Sequence, residues 1–320
     1  MSFAEELKAQ LDIPVIASPL FIISNPALVA AQCKSGIVGS FPALNARPAE
    51  VLDEWLQQLT NELSEYRAAN PDKKVAPFAV NQIVHQSNDR LQHDLDLCAK
   101  YEVPLMITSL RAPHEAVEVA HSYGGKVFHD VISVRHAEKA IEAGVDGLIL
   151  VCSGAGGHAG TLSNFALVSE VRKFYDGPIA LSGSISQGKQ ILAAEAMGAD
   201  FAYIGTRFIA THEANADEAY KQMLVDSSAS DIVYSNLFTG VHGNYLRGSI
   251  EKSGLDPNNL PEGDKSSMKF GSGGSNKSKA WRDIWGAGQG VGNIDRVQST
   301  AEVVAELKQD YLAARKRLLG

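Results

Sequence analysis

His158 stands among glycines in a stretch that suits proton transfer beside a bound ligand. From Val151 to Gly160 the chain reads VCSGAGGHAG, with Gly156 and Gly157 before the imidazole and Gly160 after it. Histidine takes up a proton near neutral pH. Glycine lets a backbone approach a ligand closely and adopt dihedrals closed to other residues. A second set of residues suits an anion. Ser182-Gly183-Ser184 and Gly205-Thr206 each follow a short apolar run, offering hydroxyls and uncrowded backbone N–H groups. Such groups attract a phosphate; tight turns that require glycine are the alternative. Arg207, next in line, either adds charge there or points elsewhere.

Other candidates carry less. His129 ends an apolar run beside Asp130 and reads as packing or support, and Cys152 reads as a buried strand-end residue. The remaining histidines, at 85, 93, 114, 121, 136, 212 and 242, have no metal-ligand spacing, so a metal-free site is expected. GAGQGVG, from Gly286 to Gly292, resembles a nucleotide loop but has no clear strand before it and no acid-tipped βαβ unit after it. It reads as a turn that brings Trp281, Trp285 or Gln289 toward the site as a water-excluding cover, with plain tryptophan packing as the alternative.

These residues need a frame. Short apolar runs alternate with amphipathic ones through eight rounds. The expected strands are IPVIAS, IVGSF, VAPFAVN (ending at Asn81), VPLMITS, KVFHDV, DGLILV, PIALSG and ADFAYIG. Helices are expected near 26–35, 49–63, 89–100, 112–122, 134–143 and 187–197, several of them stopped by glycine, as in CKSG, IEAGVD and AEAMGAD. Nearly all-apolar strands belong to parallel sheets covered on both faces. Eight rounds favour a closed α/β barrel of the TIM (β/α)8 type, whose chemistry sits at the carboxyl ends of the strands. Those ends carry Ala17-Ser18-Pro19, Asn81, His129-Asp130, the glycine–histidine loop, Ser182-Gly183-Ser184 and Gly205-Thr206. The expected division is a barrel core over 1–230, a Gly-, Pro- and Ser-rich excursion or lid over 231–299, and a closing helix over 300–320.

Composition sets outer bounds. The chain has 320 residues, 45% of them hydrophobic, enough for a large core. A net charge of -8 without a basic stripe argues against nucleic acid as a partner. No stretch of eighteen apolar residues is present, so no membrane span is expected. Three widely spaced cysteines and a charged start without a signal core fit a reducing, cytoplasmic setting. Monomer and homodimer stay equally open.

With these residues placed, the chain resembles the nitronate monooxygenase family, formerly called 2-nitropropane dioxygenases, from PVIASPLF to DIWGAGQGVG. Ala155-Gly156-Gly157-His158-Ala159-Gly160 is similar to the family's catalytic loop; Gly183 with its neighbours and Gly205-Thr206-Arg207-Phe208 are similar to its phosphate loops. The resemblance implies an FMN-dependent TIM barrel. It places the cofactor against Ala17, Ser18, Pro19, Asn81, Gly156, Gly157, Ser182, Gly183, Ser184, Gly205 and Thr206. His158 would be the base that deprotonates a neutral nitroalkane. The implied reaction oxidises alkyl nitronates with O2 to carbonyl compounds and nitrite, the flavin passing an electron from substrate to oxygen without a metal or a reduced nicotinamide. The chain departs from the family in VFHD, where Asp130 replaces a lysine seen in many relatives, in Gly286, where some carry serine, and in the segment 249–280. The same barrel and loop are similar to those of FMN-dependent enoyl-acyl-carrier-protein reductases and NADH:quinone reductases, so an NAD(P)H oxidoreductase is the main alternative. A ligand sensor on an inactive barrel and a flavin-free phosphosugar barrel are the others.

Overall fold

The computed structural model describes residues 2–263 and 284–320. Trp281 and positions 264–280 of the excursion lie outside the described residues. Eight parallel strands alternate with helices: β1 (Val15–Ala17), β2 (Gly39–Pro42), β3 (Phe78–Val84), β4 (Leu105–Leu110), β5 (Lys126–Val131) and β6 (Gly147–Val151), then, after a two-residue strand β7 (Gly157–His158), β8 (Ile179–Ser182) and β9 (Phe201–Ile204). Their order is β1-β9-β8-β6-β5-β4-β3-β2, and the bridge between Ile16 and Val38 joins the two ends. This is the TIM (β/α)8 barrel.

The strand residues are buried on both faces because helices cover the outside and side chains fill the inside. Inside lie Ile16, Ala79, Ile107, Phe128, Ile149, Ala180 and Phe201, one from each of seven strands, packed with Leu7 and Leu11. Leu7 belongs to α1 (Phe3–Ala9), which stoppers the amino end of the barrel. Its Phe3 ring lies 5.9 Å from that of Phe128. The alternate residues of each strand, such as Val80, Met106, Leu148 and Leu181, face the surrounding helices.

Those helices are α2 (Pro26–Lys34), α3 (Val51–Ala69), α4 (Leu91–Lys100), α5 (His114–Ser122), α6 (Val134–Glu142), α7 (Asn164–Val171), α8 (Gly188–Ala196) and α9 (Thr206–Ile209). Local sequence starts several of them: Asn25 caps the Leu28 N–H with Pro26 at the first turn, and Ser133 caps His136. Beyond the barrel come α10 (Glu218–Asp226), the strands β10 (Ile232–Ser235) and β11 (Gly243–Leu246), α11 (Arg247–Lys252) and α12 (Thr300–Leu319). A capping box of Ser299 and Glu302 opens α12, which packs on α8.

Several elements differ from the sequence expectation, which placed no helix at α1, α7 or α10. The third strand does not stop at Asn81 but continues to Val84, because Ile83 and Val84 still pair with Ser109 and Leu110 of β4. Within the excursion, β10 and β11 form an antiparallel pair that the short runs IVYS and GNYL do not advertise. Neither run has the length or alternation that marks a strand. No described helix is long and apolar enough to cross a membrane.

Candidate functional site

A strand side chain points to the same face as the one two residues away. Counting two beyond each interior residue gives Ser18 after Ile16, Asn81 after Ala79, Ser109 after Ile107, Asp130 after Phe128, Val151 after Ile149, Ser182 after Ala180 and Tyr203 after Phe201. All seven line one cavity of about 680 Å³ at the carboxyl end of the barrel. The floor of the site is therefore the last layer of the barrel interior, where apolar filling gives way to polar groups.

The same parity corrects one expected contact. Ala17 is fully buried and turned outward, packed with Val15, Ile204 and Phe208, and its carbonyl accepts from Ser40 Oγ at 2.5 Å. It does not line the cavity, whereas Ser18 and Pro19 do. His129 is outward too: it is buried, its Nδ1 lies 2.8 Å from Thr108 Oγ1, and burial pushes its pKa down to about 4. Cys152 is fully buried away from the cavity, with its thiol pushed up to about 12 by burial. Arg207 also points elsewhere, donating to Glu306 Oε2 of α12 at 2.9 Å.

The floor carries a polar chain that the sequence did not reveal. Asn81 Nδ2 donates to Ile107 O at 3.1 Å and to Ser109 Oγ at 2.9 Å; Ser109 Oγ donates to Asp130 Oδ2 at 2.6 Å. Asp130 Oδ1 is buried without a partner. Burial raises the Asp130 carboxyl to about 6 against the pull of the Ser109 bond. Counting by two from the apolar interior residues would have found Ser109 and Tyr203. Asp130 drew attention as a departure from a family pattern and as a candidate acceptor for an imidazole; its partner is Ser109, and His129 bonds Thr108 instead.

Gly156, Gly157 and His158 form one wall. Their loop is held by the excursion. β7 pairs antiparallel with β11, setting Gly243 against His158 and Asn244 against Gly157. Asn244 Nδ2 donates to Ala155 O at 2.6 Å, and the Ala159 N–H donates to His242 O at 3.2 Å. From behind, the Gln289 N–H donates to Gly154 O at 2.9 Å and the Gly288 N–H to Thr206 Oγ1 at 2.9 Å. A Cβ on Gly288 would lie 2.5 Å from Gly154 O and 2.9 Å from Gly156 N, so two glycine-rich loops stack where side chains have no room. Gly157 differs: a Cβ there would meet nothing within 4 Å, leaving open space on the cavity side for a ligand.

His158 Nε2 lies 3.0 Å from Thr239 Oγ1. The Thr239 hydroxyl donates to Val241 O at 2.9 Å, so its oxygen accepts from His158. This network assigns the Nε2–H tautomer and makes Nδ1 the basic ring nitrogen. Burial holds the imidazole neutral, with a pKa pushed down to about 4.

At the other end of the cavity lie Ser182, Gly183, Ser184, Gly205 and Thr206. Gly183 and Ser184 have successive positive φ angles of 123° and 59°, a tight turn in which the Ser184 N–H donates to Gly154 O at 3.3 Å. A Cβ on Gly183 would lie 2.6 Å from Ser153 O, and Asn164 Nδ2 pins the turn by donating to Gly183 O at 3.1 Å. This turn and Gly205-Thr206 could hold a phosphate through backbone donors, since Arg47 is the only lysine or arginine lining the cavity among the described residues. The open face of Gly157 could hold a flat ring. The glycine–serine turn, the ring-sized opening and a volume above that of a small metabolite fit a mononucleotide cofactor such as FMN.

The mouth is aromatic. Trp285 stacks on Tyr220 with centroids 4.9 Å apart and 8° between planes; both line the cavity with Phe21 and Phe238. The Tyr220 hydroxyl donates to Gly286 O, anchoring the turn. Trp285 thus reaches the mouth as one of the sequence alternatives held. Gln289 packs against Gly154 instead. Arg47 lies exposed at the rim, its guanidinium 5.5 Å from the Phe21 ring centroid.

Comparison with known proteins matches the chain along most of its length. The family profile described as nitronate monooxygenase matches residues 5–310. A nitronate monooxygenase of Paraburkholderia phytofirmans is 26% identical over 287 residues, covering 77% of each chain. A solved nitroalkane oxidase of Streptomyces ansochromogenes superposes with a TM-score of 0.78 at 22% identity, over 98% of this chain and 99% of that one. FabK of Thermotoga maritima superposes at 0.74 and 22% identity, over 99% and 97%. At these identities the two solved structures bear on the fold alone.

Proposed function

The chain belongs to the nitronate monooxygenase family, and from that premise we propose that it binds FMN in the 680 Å³ cavity and oxidises alkyl nitronates with O2 to carbonyl compounds and nitrite. The observation that carries this reading is the placement of His158: a neutral imidazole on the cavity wall with its tautomer set by Thr239. The His158 imidazole takes the α-proton of a neutral nitroalkane, and the imidazolium so formed pairs with the nitronate product. FMN, when bound, supplies the redox step between nitronate and oxygen. Ser182, Gly183, Ser184, Gly205 and Thr206 hold its phosphate; Ser18, Pro19, Asn81, Gly156 and Gly157 bound its ring. The described residues of the 231–299 segment, 231–263 and 284–299, serve as the cover, contributing Phe238, Thr239 and Trp285 to the mouth. Those aromatic groups exclude water from the reacting atoms.

One observation keeps a second reading alive. The stacked Trp285 and Tyr220, with Phe21 and Phe238, offer flat apolar faces that also suit a nicotinamide ring. An absorption spectrum of the purified, FMN-reconstituted protein decides between the two. Anaerobic bleaching by a nitronate but not by NADH is expected. Bleaching by NADH alone moves the assignment to an NAD(P)H oxidoreductase, and the lack of any bound flavin removes both.

A further inference from the structure

The floor of the cavity carries one carboxyl group, that of Asp130 at the end of β5. Asp130 shares its surroundings with Ser109 of β4 and Tyr203 of β9. The single Ser109 hydroxyl proton is spent on Oδ2, and Asn81 directs its amide hydrogens to Ile107 O and Ser109 Oγ. Oδ1 remains buried without a donor. The Tyr203 phenol is pushed well up, first by burial and then by the Asp130 charge, with the Ser18 side chain bonded to it. The other ionisable groups lining the cavity, among the described residues, are His158 on β7, Tyr220 on α10, and Arg47 and Asp217 toward the mouth. None of these exerts a resolved influence on Asp130, whose carboxyl answers to burial and Ser109.

Resting on the FMN reading above, we propose that Asp130 is the proton acceptor that accompanies cofactor reduction: each two-electron reduction of bound FMN takes up two protons, one on the flavin ring and one on the Asp130 carboxylate. The balance is complete. A donor supplies two electrons; the ring gains these and one proton and becomes a monoanion; the carboxylate gains one proton and loses its charge. The net charge of the site is unchanged. The physical cause is that two like charges cannot both persist in a desolvated site, so one of them binds a proton. A lysine at this position would instead pair with the anion and need no second proton. The geometry explains why Asp130 can serve: Oδ1 has no donor to satisfy it while ionised, and Ser109 keeps the carboxyl oriented in both states.

The test is a redox titration of the FMN-loaded protein with dithionite between about pH 7 and pH 9. Two protons per two electrons make the reduction equilibrium change a hundredfold per pH unit, about 59 mV. Asp130→Asn keeps the size and the Ser109 bond but cannot take up a proton, and its slope is expected to fall to tenfold, about 30 mV per pH unit. A tenfold slope in the wild-type protein overturns the proposal, as does a hundredfold slope retained in Asp130→Asn. Should that variant fail to hold FMN, Ser109→Ala decides. Losing the donor strengthens the hold of Asp130 on its proton, so the hundredfold slope must extend to higher pH; a slope that shortens instead overturns the proposal. Failure of the FMN reading is separately visible, because no flavin absorption is then retained and both fall together.

Discussion

At the scale of the residue, two buried ionisable groups govern the behaviour of the site. Burial holds His158 neutral above about pH 4 in the free protein. For a neutral nitroalkane, kcat/KM should therefore rise with pH through an acid limb near 4, well below the usual histidine range near 6.5. His158→Ala should remove that limb and lower the rate by about 10²- to 10⁴-fold. An unchanged profile in the variant assigns the proton to another group. Asp130 works in the opposite sense. Its carboxyl is raised from 3.8 to about 6 in the fold, so the folded chain binds more protons than the unfolded one between those values. Ionisation costs stability: the cost is absent below about pH 4, grows as pH rises, and is complete above about pH 6. Apo Asp130→Asn should exceed the wild type by about 3 kcal/mol at pH 8 and nearly match it at pH 4, as measured by urea denaturation. A constant gap at both values would show that Asp130 does not titrate between them.

At the scale of the element, the two-residue strand β7 carries the catalytic candidate. Two residues cannot hold themselves; their geometry is imposed by β11, by the Asn244 amide on Ala155 O and by the turn at Gly286–Gly290. Asn244 is buried, and its loss leaves a carbonyl without its donor. Asn244→Ala should cost about 1–3 kcal/mol and lower kcat by tenfold or more through misplacement of His158, while FMN content is expected to be retained. Equal kcat at equal flavin content would show that β11 does not position the imidazole. Apolar strand runs and glycine stops made the barrel elements legible in the chain. β10 and β11 were not legible, because IVYS and GNYL lie outside the strand–helix cadence and are held by each other and by β7. The longer third strand has the same origin, its last residues being held by β4.

At the scale of the whole molecule, the barrel is closed from outside by α12 against α8. Gly188 opens α8 at the point of nearest approach, where a Cβ would strike the Leu307 carbonyl and the Tyr311 amide of α12. Backbone atoms cannot step aside as a flexible side chain can. Gly188→Ala should force the helices apart at a cost of about 1–3 kcal/mol, read as a lower Tm, with the cavity and its flavin content preserved. An unaltered melting curve would mean that α8 and α12 do not approach this closely. The contact also explains Arg207, which turns away from the cavity to pair with Glu306 of α12.

The sequence by itself determined what depends on neighbours along the chain: the strand–helix cadence of the barrel, the glycine-flanked His158, the Ser182-Gly183-Ser184 turn and the family these motifs resemble. Local periodicity and backbone freedom are written in adjacent residues, and they survive without knowledge of the fold. Tertiary structure decided what depends on parity and on distant partners. It turned Ser18 into the cavity and Ala17 out of it, a difference of one residue on one strand. It joined Asn81, Ser109 and Asp130 from three strands and left one carboxylate oxygen bare. It brought Thr239 to His158 across 81 residues of chain. Those contacts set the charge and tautomer of the site, because desolvation and hydrogen bonding act through space and no short run of residues records them.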